Sequence, residues 1–360
     1  MPRIFSRYVA RRFVSAVAAV FLGIFILVVL IDYIELTRRS VGVGNIPAWV
    51  IAMTSIYRVP QITERLLPFS VLVGAMMAFL NLSRRNELVI ARAAGMSAWQ
   101  FVWPAVGVAL ILGILSAAVY NPLAAHLGEQ AKRLEQSIFG SRSGEESGVR
   151  FWLRQRSGDG QSVLHAASSR QQGESLAGIT VFVFDRTGGF AERIEADTAK
   201  LEPGRWRLDN ARVYTTTAPP RDAARYYVET NLTEEQIRES LATPDTVSFW
   251  HLPLYIELAE RAGLIAVGYR FQYQSLLARP FLLAAMVLLA ASVSLRFFRF
   301  GGIQRMILGG IAAGFLLYVL SKVTEDLSKA ALMHPVMAAW SPASIGALVG
   351  IITLLFQEDG

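Results

Sequence analysis

The sequence predicts an α-helical membrane protein of six spanning helices, with an all-β domain inserted between the third and the fourth. Three observations carry this. Of the 360 residues, 53% are hydrophobic, and they gather into runs long enough to cross the roughly 30 Å of a bilayer's hydrocarbon core. Arginines crowd at 3–12, 84–92 and 296–305, always at the same alternate ends of those runs, which places these three stretches in the cytoplasm by the positive-inside bias. Between 141 and 243 the runs stop, and short strand-like segments separated by Gly, Asp and Pro replace them.

The first span is the apolar run 13–31, preceded by Arg3, Arg7, Arg11 and Arg12. It is longer than a signal peptide's apolar region of roughly 7–15 residues, and no convincing cleavage site follows, so the N-terminus stays inside. Asp32 to Arg39 continues the helix out of the far face. Arg38 and Arg39 run against the charge bias there. They read either as a solvated helix end or as an anion site, because guanidinium forks pair bidentately with phosphate.

Residues 41–45 form a turn, 48–57 read as a short interfacial helix, and Pro60 begins the second span, which ends near Leu82. Pro68 should kink it. Arg58, Glu64 and Arg65 fall in its outer turns, where they face a polar cavity or snorkel. The third span is 99–120, and Asn121-Pro122 opens a helical extension carrying Glu129, Lys132, Arg133 and Glu135.

Residues 140–148 are a flexible break. Strands are expected at 149–154, 162–167, 179–185, 191–201, 205–214 and 225–230, with turns at 158–160 and 187–189; regular short strands mean a β-sandwich or a related all-β domain. Residues 244–264 read as helical, and the spans 271–295, 303–323 and 337–356 complete the chain. The domains are therefore 1–140 (spans one to three), 141–243 (the β-domain, outside the cytoplasm) and 244–360 (a linker helix and spans four to six), with both termini inside.

Between spans two and three lies Ser83-Arg84-Arg85-Asn86-Glu87-Leu88-Val89-Ile90-Ala91-Arg92-Ala93-Ala94-Gly95-Met96-Ser97. It reads as a short helix, with Ser83 capping its start and Gly95 ending it in the left-handed conformation. Glu87 is the only acid among three arginines. The stretch is either an interfacial helix snorkelling its arginines into headgroups, or a helix offered to a cytoplasmic partner with Glu87 as its polar contact.

Several chemistries have no residues to perform them. There is no cysteine, which excludes disulfides, zinc–thiolate sites and thiol nucleophiles; the four histidines are scattered, so no metal site is expected. The net charge of +7 and pI near 9.8 come from arginines flanking apolar runs, which favours membrane orientation over nucleic acid. No G-x-x-x-x-G-K-[ST] loop, G-x-S-x-G elbow or H-E-x-x-H helix is present, so the chain reads as non-catalytic, without a nucleotide of its own. Gly309-Gly310-Ile311-Ala312-Ala313-Gly314 lies mid-span and fits close helix packing.

The residues from Pro60-Gln61-Ile62-Thr63-Glu64 through Leu67-Pro68-Phe69 and Gly74 to Leu82–Val89 and Ala94-Gly95-Met96-Ser97 resemble the LptF/LptG family of lipopolysaccharide-export permeases. Ala196-Asp197-Thr198-Ala199-Lys200, Trp206-Arg207-Leu208, Thr230-Asn231-Leu232-Thr233 and the stretch Pro335–Pro342 extend the resemblance to nearly the whole length. Tyr33-Ile34-Glu35-Leu36-Thr37-Arg38-Arg39 favours the G over the F branch. A paralogous F-type subunit, or a membrane-anchored periplasmic scaffold, are the rival readings.

The resemblance implies a lipopolysaccharide transporter of the Gram-negative inner membrane with a periplasmic β-jellyroll. It implies a heterodimer with an LptF-type permease around a lipid cavity, an LptB-type ATPase dimer that binds the ATP, an LptC-type single-span protein and an LptA-type periplasmic bridge. Residues 84–97 match its coupling helix, with Arg84, Arg85, Glu87, Arg92 and Gly95 as ATPase-coupling residues. Arg38, Arg39 and Arg133 match basic positions that meet lipopolysaccharide phosphates. Asp32 and Gln136 depart from the pattern, since related chains can carry a base at each position.

Overall fold

A computed structural model describes residues 2–41, 46–84, 87, 90, 95–139, 151–157, 160–170, 175–185, 189–215, 218–230, 244–261, 266–298 and 303–358. They divide into two units, one of 1–135, 245–252 and 267–360, the other of 136–244 and 253–266. Arg85, Arg92, Arg299, Asn231 to Thr233, the break 140–148 and most of the turns at 158–160 and 187–189 lie outside the described residues, as do the side chains of Gln136, Arg296 and Arg305.

The first unit holds α1 (Pro2–Ser40), α2 (Ala48–Arg84), α3 (Ala98–Leu115), most of α4 (Asn121–Phe139), α6 (Val267–Phe298), α7 (Ile303–Lys329) and α8 (Pro335–Glu358); α5 (Leu252–Arg261) precedes α6 in sequence. A π-helical turn, Ser116–Tyr120, joins α3 to α4 without a break. Six helical stretches among the described residues are long and apolar enough to cross a membrane, in the expected order.

Two local expectations change. The interfacial helix at 48–57 and the second span are one continuous helix, α2, with Pro60 and Pro68 inside it. Side chains bond the carbonyls beside Pro60: the Thr63 hydroxyl donates to the Val59 carbonyl (3.0 Å), and the Tyr120 phenol of the π-helical turn donates to the Pro60 carbonyl (3.2 Å). Likewise Ser83 does not cap a new helix. It is buried inside the last turn of α2, next to the buried Leu82 that keeps the helix on the core.

α6 lies at the centre of the membrane unit, burying Leu283, Ala285, Val287, Ala290 and Ala291. α1 is held differently along its length. Val9, Phe13 and Val17 are buried near its start, whereas Leu22, Ile26, Leu27, Leu30, Ile31 and Ile34 are exposed. α7 sets Gly310 against Met76 and Gly314 against Leu72 of α2, as the small-residue pattern requires, and exposes Leu308, Ile311, Phe315 and Leu316.

The second unit contains one antiparallel sheet in sequential order, β1 (Phe151–Ser157), β2 (Gly160–Arg170), β3 (Ser175–Phe184), β4 (Phe190–Glu202), β5 (Arg205–Thr215) and β6 (Arg221–Glu229). All six expected strands are present, and the fold is the six-helix membrane protein with an inserted all-β domain that the family's permeases imply. Alternate residues of β4 and β5 are buried, and Leu164, Ile179, Val181, Ile194, Trp206 and Leu208 form the core. Pro203-Gly204 turns β4 into β5, with Gly204 at φ 78°, as a type II turn demands. The Tyr226 phenol donates to Glu192 Oε1 (2.7 Å); burial, and that carboxylate beside it, push the phenol up to about 12.

Candidate functional site

At the far end of α1, Arg38 forks onto Glu35 with two 3.0 Å hydrogen bonds, and Arg39 Nε donates to Glu35 Oε1 (2.8 Å). Arg133 Nη2 donates to Glu129 Oε1 one turn earlier in α4 (2.7 Å). Each candidate arginine is thus paired within its own helix, in the open: the Arg38 and Arg133 side chains are 77% and 57% exposed. Exposed pairs of this kind hold weakly, so an incoming phosphate competes with them readily. Glu35 neutralises one of two charges, leaving the Arg38–Arg39 pair a net cation.

No direct contact joins Arg38 or Arg39 to Arg133 among the described residues, but α2 ties their helices together. Arg58 Nε lies 3.7 Å from Asp32 Oδ1 of α1, and Arg58 Nη1 lies 3.5 Å from Glu135 Oε1 of α4. Asp32 is buried, and its Oδ2 has no hydrogen-bond partner. Asp32 thus meets an arginine six residues before Glu64, the acid of α2.

Deeper in the bundle, Glu64 meets partners that the sequence pattern did not connect to it, Arg279 foremost. Arg279 of α6 pairs with Glu64 of α2, and Asn121 Nδ2 donates to the same carboxylate oxygen (2.9 Å). Arg279 also donates to Ser116 Oγ (3.2 Å) at the start of the π-helical turn, and Asn121 Oδ1 accepts from the Phe249 amide (2.8 Å). A Cβ on Gly113 would stand 2.3 Å from the Pro280 Cα, so α3 and α6 touch backbone to backbone one turn away. The side chains of Glu64 and Arg279 are only 7% and 13% exposed. The signal was available: Arg279 is a charge followed by proline inside an otherwise apolar run, and an intramembrane charge has a partner or a function by default.

At the opposite end, Glu87 and Ile90 are helical and Gly95 has φ 80°, the left-handed conformation expected of it. Arg84 is exposed at the end of α2. Glu87 is half-buried: the Tyr8 phenol of α1 donates to its Oε1 (3.0 Å), and Arg12 Nε donates to the Tyr8 oxygen (3.2 Å). Between α1 and α2 is a cavity of about 210 Å³ lined by Tyr8, Arg12, Ser15, Asn81, Leu82 and Glu87. Among the described residues no three His, Asp or Glu side chains gather as a metal site requires.

Comparison with known proteins gives this arrangement a context. The family model described as "Lipopolysaccharide export system permease LptF/LptG" matches residues 7–355. The lipopolysaccharide export system permease protein LptG of Escherichia coli (strain K12) is 25% identical over 366 residues, covering 98% of this chain and 98% of its own. The protein of the same name from Haemophilus influenzae is 24% identical over 356 residues, covering 96% of this chain and 94% of its own. The named relatives are all of the G type. Six spanning helices, the inserted sheet and a match over almost the whole length agree: the chain belongs to the LptF/LptG family of lipopolysaccharide export system permeases.

Proposed function

We propose that this permease is the G-type half of a heterodimer with an LptF-type chain in the Gram-negative inner membrane, extracting lipopolysaccharide and passing it to a periplasmic bridge. Both termini and residues 84–97 face the cytoplasm, and the β-domain faces the periplasm. ATP is bound by an LptB-type ATPase dimer, and this chain contributes no cofactor. LptC-type and LptA-type proteins continue the path by strand addition between β-domains.

The observation that supports this best is the character of α1. An amphiphile with acyl chains and phosphates needs a wall that is greasy along its length and basic at its rim. α1 exposes Leu22, Ile26, Leu27, Leu30 and Ile34, then Arg38 and Arg39. α7 offers a second exposed apolar face, and Arg133 adds a further cation for the phosphates. At the other end Arg84, Arg85, Glu87, Arg92 and Gly95 form the coupling segment, with Glu87 as the acid seated in the ATPase. Moving a two-state gate from 1:99 to 99:1 takes roughly 5.5 kcal/mol of differential stabilisation, which the ATPase supplies through that segment.

The test is recovery of the complex through a tag on this chain, with mass spectrometry of its subunits and lipid. An ATPase, a second permease and lipopolysaccharide should copurify; their absence would favour a scaffold. Glu87→Ala should lower ATPase recovery, or uncouple hydrolysis from lipid release, while the chain still inserts. Full recovery together with full transport would return the segment to an interfacial helix. Cysteines introduced at positions 86 and 300 should be shielded from external label and one at 173 should react; label at 86 would reverse the orientation.

A further inference from the structure

We propose that Asp245–Leu252 is a strap that anchors the chain leaving the β-domain to the membrane unit, and that Asn121 is its positioning residue. This rests on the chain being a lipid exporter, and it adds what holds the outgoing end of the domain that next receives the lipid.

The course of the chain is the first observation. Residues 136–244 belong to the second unit, 245–252 to the first, 253–266 to the second again, and 267 onward to the first. The strap is therefore a touchdown on the membrane unit between two parts of the other. It is built to stay there. Pro244–Thr246 is a 3-10 turn, Val247 and Leu252 are buried, and the His251 and Leu252 amides both donate to the Ser248 carbonyl.

Three helical elements hold it. From α2, Gln61 Nε2 donates to the Asp245 carbonyl (2.9 Å), and Arg65 pairs with the Asp245 carboxylate in the open. From the π-helical turn, the Ala118 carbonyl accepts the indole N–H of Trp250 (3.0 Å). From α6, the Tyr273 ring stacks on Phe249 with centroids 5.6 Å apart and planes 16° from parallel.

Asn121 differs from these contacts because it is buried and faces two ways. Its Nδ2 donates to Glu64 Oε1 (2.9 Å), while its Oδ1 accepts from the Phe249 amide (2.8 Å). Only one orientation of the side-chain amide satisfies both. Turned over, it would set its NH2 against the Phe249 N–H and its oxygen against a carboxylate. An aspartate there would repel Glu64, and an apolar residue would leave the Phe249 amide without this acceptor. Glu64 is itself held by Arg279, so the buried ion pair aims the amide, and the amide sets the place of Phe249.

The strap thus rides on the part of the membrane unit that the buried pair keeps in one arrangement. It stays docked while lipid is moved, and the chain leaving the β-domain starts from a fixed point.

The test uses the whole complex in proteoliposomes loaded with lipopolysaccharide. A single cysteine at the exposed position 251, in a chain with none of its own, carries a nitroxide. Its spectrum should be immobilised, and remain so while ATP is hydrolysed. Asn121→Ala should free the label and lower lipid released per ATP about tenfold, with ATPase recovery unchanged. Because that variant also takes a donor from buried Glu64, a second one loosens the strap from its exposed side. Trp250→Phe keeps an aromatic ring and removes the indole N–H; with Arg65→Gln it should free the label and lower the ratio about threefold, at an unchanged thermal midpoint.

A label still immobile in Asn121→Ala overturns the proposal, and so does a free label with a wild-type ratio of lipid to ATP. A label released in the wild-type complex during hydrolysis overturns it as well, since the strap then undocks. If Asn121→Ala loses transport only in step with its midpoint, and the exposed pair of substitutions changes neither label nor ratio, Asn121 serves folding alone and the proposal falls. A wild-type complex that carries no lipopolysaccharide overturns the export reading and this inference with it, an outcome that no result from the label can imitate.

Discussion

Two sets of arginine–carboxylate pairs occupy this membrane unit, and they differ in almost every physical respect. Arg279 and Glu64 face each other from different helices, nearly sealed from solvent, with Asn121 and Ser116 taking further hydrogen bonds. Arg38, Arg39 and Arg133 pair with acids on their own helices, in the open. The buried set cannot exchange partners without stranding a charge in a low-dielectric site, so it holds α2, α6 and the π-helical turn in one arrangement. The exposed set is already solvated and loses little by exchanging a carboxylate for a phosphate. The same two residue types are thus suited to opposite purposes, fastening where they are buried and, in the proposed function, exchange with a lipid phosphate where they are exposed.

The strongest way to break this comparison is to remove one member of the buried set. Arg279→Met leaves the Glu64 carboxylate uncompensated and should cost about 3–5 kcal/mol, enough to lose most folded protein from a detergent extract. Adding Glu64→Gln, which keeps an oxygen for Asn121 Nδ2, should restore most of that loss, because a neutral amide has no charge to strand. Thermal unfolding of the two variants checks both. If Arg279→Met alone is as stable as wild type, the pair is not a fastener.

Reversing the exposed set should do the opposite, sparing the fold and removing the ligand. With Arg38→Glu and Arg39→Glu together, the complex should assemble with its usual thermal midpoint and lose about tenfold or more in lipopolysaccharide loading. Photocrosslinkers at the same positions should capture the lipid in the wild-type background. Loading at wild-type levels would take Arg38 and Arg39 out of the binding step. Arg58→Gln should fall between the two sets. It strips the cation from buried Asp32 and from Glu135, so a moderate loss of stability, about 1–3 kcal/mol, should lower the midpoint and accompany altered loading.

How much of this was legible in the sequence depends on whether the cause was local. Spans and strands were, because hydropathy and β-branched alternation act over a few neighbouring residues. All six strands and all six spans overlap the expected stretches, although α2 begins at Ala48 rather than Pro60 and β6 at Arg221 rather than 225. The continuity of α2 through Pro60 was not, because a proline inside a helix is tolerated only where packing outweighs its lost hydrogen bond. Val59 and Pro60 are buried by contacts that only the fold makes, Tyr120 sixty residues on among them. For the same reason Glu64 looked like an outer-turn charge: its partner Arg279 is 215 residues distant and only folding brings it near. The rim arginines were legible as cations but not as cations already paired. Glu35 stands three and four residues before them, the spacing at which helical neighbours meet, so that pairing was in reach of the sequence.

The smallest expected effect sharpens the comparison most. Glu35 accepts from both Arg38 and Arg39, so in the exchange picture it is a competitor that the lipid phosphate displaces. Glu35→Gln keeps the side chain's size and removes that competition. Stability should not change measurably, since the pairs are exposed and intrahelical. Loading of lipopolysaccharide should rise, by less than about threefold, and rise less at higher salt, where added ions compete for the exposed guanidinium groups and weaken the pairing that Glu35 provides. The measurement is lipid bound per complex at two ionic strengths. If Glu35→Gln instead lowers loading severely at both, Glu35 is aiming the two guanidinium groups rather than competing for them. The exposed set would then share with the buried one the need for its carboxylate, and the division by burial would fail at the rim.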